Sequence, residues 1–221
     1  MSFPRWMQVL CLVMSLILSV NTIASTPNAS TDSDKPPNVV IVFVDDMGYG
    51  DLGCYGSESH QTPNLDRLAT QGMRFTDFYV AQPVCSASRA ALLTGCYPNR
   101  LGIHGALGPN ARHGLDEGET TLAELFKSKG YATAIFGKWH LGHQPPFLPT
   151  RHGFDEFFGI PYSNDMWPLH PDYAKFPPGT AQRKRGYPDL QLYENEAIVD
   201  SEVTPEDQQA FTKGFTKRAV D

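Results

Sequence analysis

A cysteine stands directly before a short apolar stretch that is typical of a helix. Cys85 precedes residues 86–94, and Gly95 follows as a helix-ending residue. Unpaired N–H groups at a helix N-terminus favour an anionic nucleophile. Arg89 lies about one turn further along, so its guanidinium can reach the same point. This spacing fits a nucleophile supported by a cation, and it also fits a half-buried structural cysteine before an ordinary helix.

Two adjacent carboxylates follow an apolar run. Residues 39–44 are typical of a strand buried on both faces, and Asp45 and Asp46 end that run. In open α/β folds, ligands bind at the carboxyl ends of the strands. Paired carboxylates repel each other unless a cation is present, and their oxygens suit Ca²⁺ or Mg²⁺ rather than zinc. The pair therefore indicates a hard-cation site, with a solvated acidic turn as the alternative.

Lys138 and His140 follow a predicted strand over residues 131–136. They are two residues apart, so on an extended segment they face the same side. An ammonium and an imidazole together suit the binding of a dianion and a proton transfer. A Lys/His pair on the protein surface is the alternative interpretation.

These elements together resemble the formylglycine-dependent (type I) sulfatases of the alkaline-phosphatase-like superfamily. The cysteine run 85–95 resembles the signature C-x-P/A-x-R, in the form with Ala87. Residues 137–142 match the pattern G-K-W-H-x-G, and the segment around Asp45 resembles the N-terminal strand of the family. Residues 159–165 resemble the segment where arylsulfatases of the lysosomal arylsulfatase A type place a sulfate-contacting serine, which would be Ser163.

The resemblance implies two cofactors, a formylglycine made from Cys85 and a divalent cation. A formylglycine-generating enzyme, met only transiently, would oxidise Cys85 to formylglycine. Asp45, Asp46 and residue 85 would bind a divalent cation, Ca²⁺ in preference to Mg²⁺.

The resemblance also implies catalytic roles. Residue 85 would be the nucleophile that attacks sulfur, and Arg89 and Lys138 would hold it and neutralise the transferring group. Lys138 and Ser163 would contact the substrate, and His140 would accept the proton whose loss expels sulfate. The expected activity is that of a sulfuric ester hydrolase acting on a sulfated small molecule or glycan.

Two other functions stay open at this point. A phosphatase or phosphonate hydrolase of the same superfamily would share the nucleophile and the cation strand. The other is an inactive sulfatase fragment, because the family places a further Asp-Asn pair, a His and a Lys well beyond residue 140. No Asp-Asn pair follows residue 46, and the helix that begins at Thr204 still continues at Asp221. We therefore expect a truncated chain that is not a competent sulfatase alone.

The elements that must position these residues alternate along the chain. The pattern predicts strands at 39–44, 73–80 and 131–136, with helices from Thr62, over 86–94 and from Thr121 to Lys129. This order indicates an α/β fold with a mainly parallel sheet flanked by helices, sulfatase-like and incomplete. Residues 141–186, rich in proline, are predicted as long loops, 192–203 as a hairpin and 204 onwards as a helix.

Composition and the N-terminus bear on partners and compartment. The 221 residues carry a formal charge of −6, which argues against a nucleic-acid partner. An apolar run at 9–20 and small residues at 22–24 predict a signal peptide over 1–24, followed by a flexible leader at 25–37 and a partial catalytic domain at 38–221. The expected product is exported without a stable membrane anchor, to the periplasm or medium, or to the lysosome in a eukaryote.

Overall fold

The computed structural model describes residues 36–177, 180 and 187–221, and it divides into two compact units, Met1–Val44 and Asp45–Asp221. The predicted signal peptide and nearly all of the predicted leader lie outside the described residues. In the first unit, residues 36–44 are described, and no residue among them is assigned to a strand. Val40 and Val42 are 84% and 80% exposed. The predicted strand at 39–44 is therefore wrong, because a doubly buried strand takes its structure from strands paired on both edges rather than from its own composition.

Four of the five helices described in the second unit match predicted helices, and the fourth in chain order lies in the segment predicted as loops. The five described helices are α1 (Pro63–Gln71), α2 (Cys85–Thr94), α3 (Leu122–Ser128), α4 (Pro171–Ala174) and α5 (Pro205–Val220). Thr121 and Glu124 form a reciprocal capping box before α3, with the Glu124 amide donating to the Thr121 hydroxyl at 3.2 Å. Thr204 and Asp207 repeat this arrangement before α5.

Four strands form one sheet in the order β1 (Ala134–Lys138), β2 (Glu156–Ile160), β3 (Leu192–Glu194) and β4 (Ala197–Asp200). The first pair is parallel, with Lys138 opposite Ile160, and the other two pairs are antiparallel. Helices flank this sheet, and the expected α/β class is confirmed. The sheet was expected to be mainly parallel, but only one of the three strand pairs among the described residues is parallel. The hairpin predicted at 192–203 is confirmed as β3 and β4.

Three strand predictions need correction in the second unit. The strand expected at 131–136 lies at Ala134–Lys138, and β2 lies inside the segment predicted as loops. Residues 73–80 form no strand, and Phe75 and Phe78 are 57% and 60% exposed. None of the helices described is long and apolar enough to cross a membrane.

The main core of the second unit lies between α2 and the first two strands. Trp139, Leu141 and Phe157 are almost fully buried, and Ala87 and Ala90 of α2 pack in the same cluster. Small residues on α2 let this helix approach the sheet closely, so its N-terminus lies near the carboxyl end of β1.

Candidate active site

Cys85 is the first residue of α2 and is half-buried. Its backbone carbonyl accepts a hydrogen bond from the Ser88 hydroxyl at 3.0 Å. The preceding residue, Val84, has no side-chain acceptor with which to cap the helix. The thiol therefore lies beside N–H groups that carry partial positive charge and favour a negatively charged group.

Arg89 joins α2 to the end of β1. Its Nη1 donates to the Lys138 carbonyl oxygen at 2.7 Å, and its Nη2 lies 3.8 Å from Oδ2 of Asp45. Only 12% of its side chain is exposed. Burial lowers the pKa of Arg89, and the nearby Cys85 acts in the opposite direction. A guanidinium is thus held rigidly beside residue 85.

Lys138, the last residue of β1, brings a second cation to the same point. Its Nζ forms an ion pair with the Asp45 carboxylate and lies 3.5 Å from the Ser163 hydroxyl. Burial lowers the pKa of Lys138, and the charge of Asp165 opposes that shift. Four of the residues singled out in the sequence therefore meet, which are Asp45, Arg89, Lys138 and Ser163.

His140 lies beside this group and is fully buried, with the backbone in the left-handed region at φ 62°. Its Nε2 lies 2.7 Å from the carbonyl oxygen of Leu107. Burial is the main cause that lowers the pKa of His140 to about 4; the Leu107 hydrogen bond opposes this shift, and the charges of Lys138 and Arg89 add to it. The imidazole is therefore neutral at pH 7.

A neutral His140 has one donor nitrogen and one acceptor nitrogen. The Leu107 carbonyl can only accept, so Nε2 carries the proton and Nδ1 carries the lone pair. Nδ1 is buried and has no hydrogen-bond partner among the residues described. The site thus contains a fixed proton acceptor whose tautomer is set by a backbone group.

The two aspartates differ in their surroundings. Asp45 is ion-paired with Lys138, whereas Asp46 is exposed, with φ 53°, and forms no ion pair within the described part of the chain. No cluster of three or more His, Cys, Asp and Glu side chains able to hold a metal ion occurs in residues 36–177, 180 and 187–221. The two carboxylates are oxygen donors of the type that a hard cation prefers. They are too few to hold such an ion by themselves, and Lys138 already neutralises the charge of Asp45.

Two groups at the site were missed by sequence reasoning. The Leu107 carbonyl oxygen orients His140, and a backbone group carries no side-chain signal that a sequence can show. Asp165 influences both Lys138 and His140 electrostatically. Its position two residues after Ser163 was the only signal that could have pointed to it.

Comparison with known proteins gives a consistent result. The family model described as Sulfatase matches residues 37–218. Arylsulfatase A of Bos taurus is 55% identical over 149 residues, which are 66% of this chain and 29% of that protein. The chain thus spans less than a third of the length of this relative.

Two solved structures show the same likeness. The PsFucS1 sulfatase from Pseudoalteromonas sp. superposes with a TM-score of 0.73 at 29% identity, covering 99% of this chain and 44% of that one. A protein solved in complex with its substrate D-glucosamine-2-N,6-O-disulfate gives 0.55 at 27% identity, covering 83% of this chain and 31% of that one.

Proposed function

The chain belongs to the sulfatase family, and we propose that the complete protein hydrolyses sulfate esters with a formylglycine made from Cys85. The observation that supports this proposal best is the convergence of Arg89 and Lys138 on the Asp45 carboxylate, with Arg89 one turn along α2 from Cys85. Two buried cations beside a helix N-terminus form a strong anion-binding point, since burial weakens screening by solvent.

The two cations act together in the proposed reaction. Lys138 and Arg89 hold the sulfate group of the ester and offset the charge that develops on it as the bond to the alcohol breaks. Both form ion pairs with the Asp45 carboxylate, which supports the proposal that they bind an anionic oxygen at this point. The Ser163 hydroxyl, 3.5 Å from Lys138 Nζ, orients the same group.

His140 is the proposed proton acceptor. Its Nδ1 is buried and carries the lone pair that would accept the proton, and the Leu107 carbonyl holds the ring in one tautomer. Because the imidazole is neutral at pH 7, it can take a proton from residue 85 in the step that releases sulfate. Its burial keeps bulk water away from that transfer.

We further propose that Asp45 and Asp46 bind Ca²⁺ together with ligands from outside the described residues. When bound, this ion supplies Lewis-acid stabilisation of negative charge. Asp46→Asn should lower Ca²⁺ binding by the complete protein in titration calorimetry, because it removes one hard oxygen donor. Unchanged binding in the Asp45→Asn/Asp46→Asn double variant would remove this assignment.

The proposed substrates are sulfated small molecules or glycans, since a related solved structure holds a sulfated amino sugar. The proposed setting is outside the cytoplasm, where the protein meets such esters after the transient action of a formylglycine-generating enzyme.

The proposal is tested first by mass spectrometry. Trypsin releases residues 75–89 as one peptide in which Cys85 is the only cysteine. In a host that modifies another sulfatase, this peptide should carry an aldehyde or its hydrate in place of the thiol. Recovery of the unmodified thiol alone would contradict the proposal.

An activity assay tests the reaction itself. The complete protein, made with the modifying enzyme, should hydrolyse 4-nitrophenyl sulfate in preference to 4-nitrophenyl phosphate. Cys85→Ala should lower kcat/KM by at least about 10³-fold, since it removes the nucleophile. Cys96→Ala is the matched control and should retain activity. Faster phosphate than sulfate hydrolysis would instead favour the phosphatase alternative.

A further inference from the structure

A tight turn follows β2 and lies against the proposed sulfate site. The Met166 amide donates to the Ser163 carbonyl at 3.1 Å, which closes a four-residue turn. Ser163 is buried, with its hydroxyl 3.5 Å from Lys138 Nζ. The two central residues, Asn164 and Asp165, are exposed. The turn therefore presents two polar side chains at the rim of the site.

This turn is held rigidly from both sides. The side-chain amide of Asn164 donates to the side-chain oxygen of Gln208 in α5 at 3.1 Å. The side-chain amide of Gln208 donates in turn to the backbone carbonyl of Asn164 at 3.3 Å. Just after the turn, the Trp167 indole donates to the Val203 carbonyl at 2.9 Å. Just before it, the Tyr162 hydroxyl donates to the Asp189 carbonyl at 3.1 Å. The turn is thus positioned before any ligand arrives.

Asp165 differs from Asn164 in the hydrogen bonding of its side chain. The Asn164 side chain is used to attach the turn to α5, whereas the Asp165 carboxylate has no hydrogen bond or ion pair within residues 36–177, 180 and 187–221. Asp165 nevertheless lies in the same four-residue turn as Ser163, whose hydroxyl is 3.5 Å from Lys138 Nζ. A carboxylate on a rigidly held turn, without an ion-pair partner among the described residues, therefore lies next to the proposed site for anions.

We infer that Asp165 determines which sulfate esters the site accepts. This inference rests on the proposed sulfatase function. A carboxylate can only accept hydrogen bonds, so it attracts hydroxyl or ammonium groups on the alcohol beside the ester. It repels a second anion at the same place. The favoured substrates are monosulfated alcohols that carry hydroxyl or amino groups, and the disfavoured ones carry a neighbouring carboxylate or sulfate.

The test compares two aryl sulfates that differ in one meta substituent, 3-hydroxyphenyl sulfate and 3-carboxyphenyl sulfate. The measured quantity is the ratio of kcat/KM for the carboxylate ester to kcat/KM for the hydroxyl ester, in the complete modified protein. Asp165→Asn should raise this ratio roughly three- to tenfold at low salt, because it removes one charge repulsion. The increase should shrink at high salt.

Two variants complete the design. Asp165→Glu keeps the charge and should keep the parent ratio. Asp172→Asn changes the net charge equally at another exposed residue of the same segment and should leave the ratio unchanged. An unchanged ratio in Asp165→Asn, or an equal rise in Asp172→Asn, would overturn the inference while sulfatase activity persists. Absence of hydrolysis of both esters by the parent protein would overturn the proposed function and this inference together.

Discussion

Two apolar segments of the second unit differ in structure, since one is a buried strand and the other is exposed and forms no strand. Phe157 of β2 is fully buried, and this strand pairs in parallel with β1 on one edge and antiparallel with β3 on the other. Phe75 and Phe78 lie in a segment of similar composition but are more than half exposed. The comparison shows that backbone pairing on both edges, rather than apolar composition, decides which segment becomes part of the sheet.

The exposed segment is held by side chains instead of a strand ladder. The Tyr55 hydroxyl donates to the Phe75 carbonyl, and the Tyr49 hydroxyl donates to the Phe78 carbonyl at 2.9 Å. Such isolated bonds fix a few points of the chain but leave the apolar side chains in solvent. Lys138 and Ser163 of the candidate site lie in the other region, at the carboxyl ends of the paired strands β1 and β2.

The largest expected effect comes from breaking the pairing itself. A Cβ at residue 159 would overlap the Gly137 carbonyl oxygen on the adjacent strand and lie 2.8 Å from its carbonyl carbon. Gly159→Ala should therefore lower the free energy of unfolding by about 5 kcal/mol or prevent folding. Gly50→Ala is the matched control in the exposed region, where no atom lies within 4 Å, and it should change stability by less than about 1 kcal/mol. Equal losses in urea unfolding would contradict the comparison.

A smaller effect is expected from side-chain truncation in the two regions. Phe157→Ala should lower the free energy of unfolding by about 3–5 kcal/mol, since the ring is fully buried and stacks on Tyr193 at 6.5 Å. Phe75→Ala should change it by less than about 0.5 kcal/mol, because most of that ring is already in water. Chemical unfolding of both variants measures the difference. A large loss in Phe75→Ala would show that this segment is buried in solution.

The smallest of the three effects depends on pH. The folded-state pKa of His140, about 4, lies below the ordinary value of 6.5, so the unfolded state binds the proton more readily. The resulting stability is complete above pH 6.5 and is lost as the pH falls towards 4, by roughly 3 kcal/mol at most.

Variants assign this pH dependence to one residue. His140→Asn should flatten the dependence between pH 6.5 and 4, and asparagine tolerates the left-handed backbone at this position. His60→Asn, at an exposed position of the other region, should leave the curve unchanged. An unaltered curve in His140→Asn would show that other groups cause the effect.

The same contrast explains how far the sequence predicted the fold. Helices α1, α3 and α5 were predicted because Thr62, Thr121 and Thr204 carry their start signals within a few residues. The strands at 39–44 and 73–80 were wrong because pairing depends on distant partners that no local pattern encodes. Strand β2 was missed because prolines on both sides of its short apolar run indicated loops.

At the candidate site, the sequence predicted the residues but not their mutual contacts. Arg89, Lys138 and Ser163 could be selected only through their resemblance to family motifs, and their roles remain predictions. The ion pair of Asp45 with Lys138 joins residues that are distant in the chain. The contribution of Asp165 depends on the turn that carries it, and Gln208 of α5, 44 residues from Asn164 in the chain, attaches that turn.

The glycine in the middle of α5 has a consequence for motion at the site. Gly214 lies in open space, and glycine inside a helix costs about 1 kcal/mol relative to alanine. None of the side chains of α5 is fully buried, so this helix should open locally more often than the sheet. Since Gln208 attaches the Asn164–Asp165 turn to α5, the Met166 amide should exchange with deuterium at the rate at which this helix opens. The Trp139 amide, hydrogen-bonded to the Ile160 carbonyl at 3.0 Å, should exchange only when the strands separate. The turn on one side of the site should therefore open more often than the strand end on the other side.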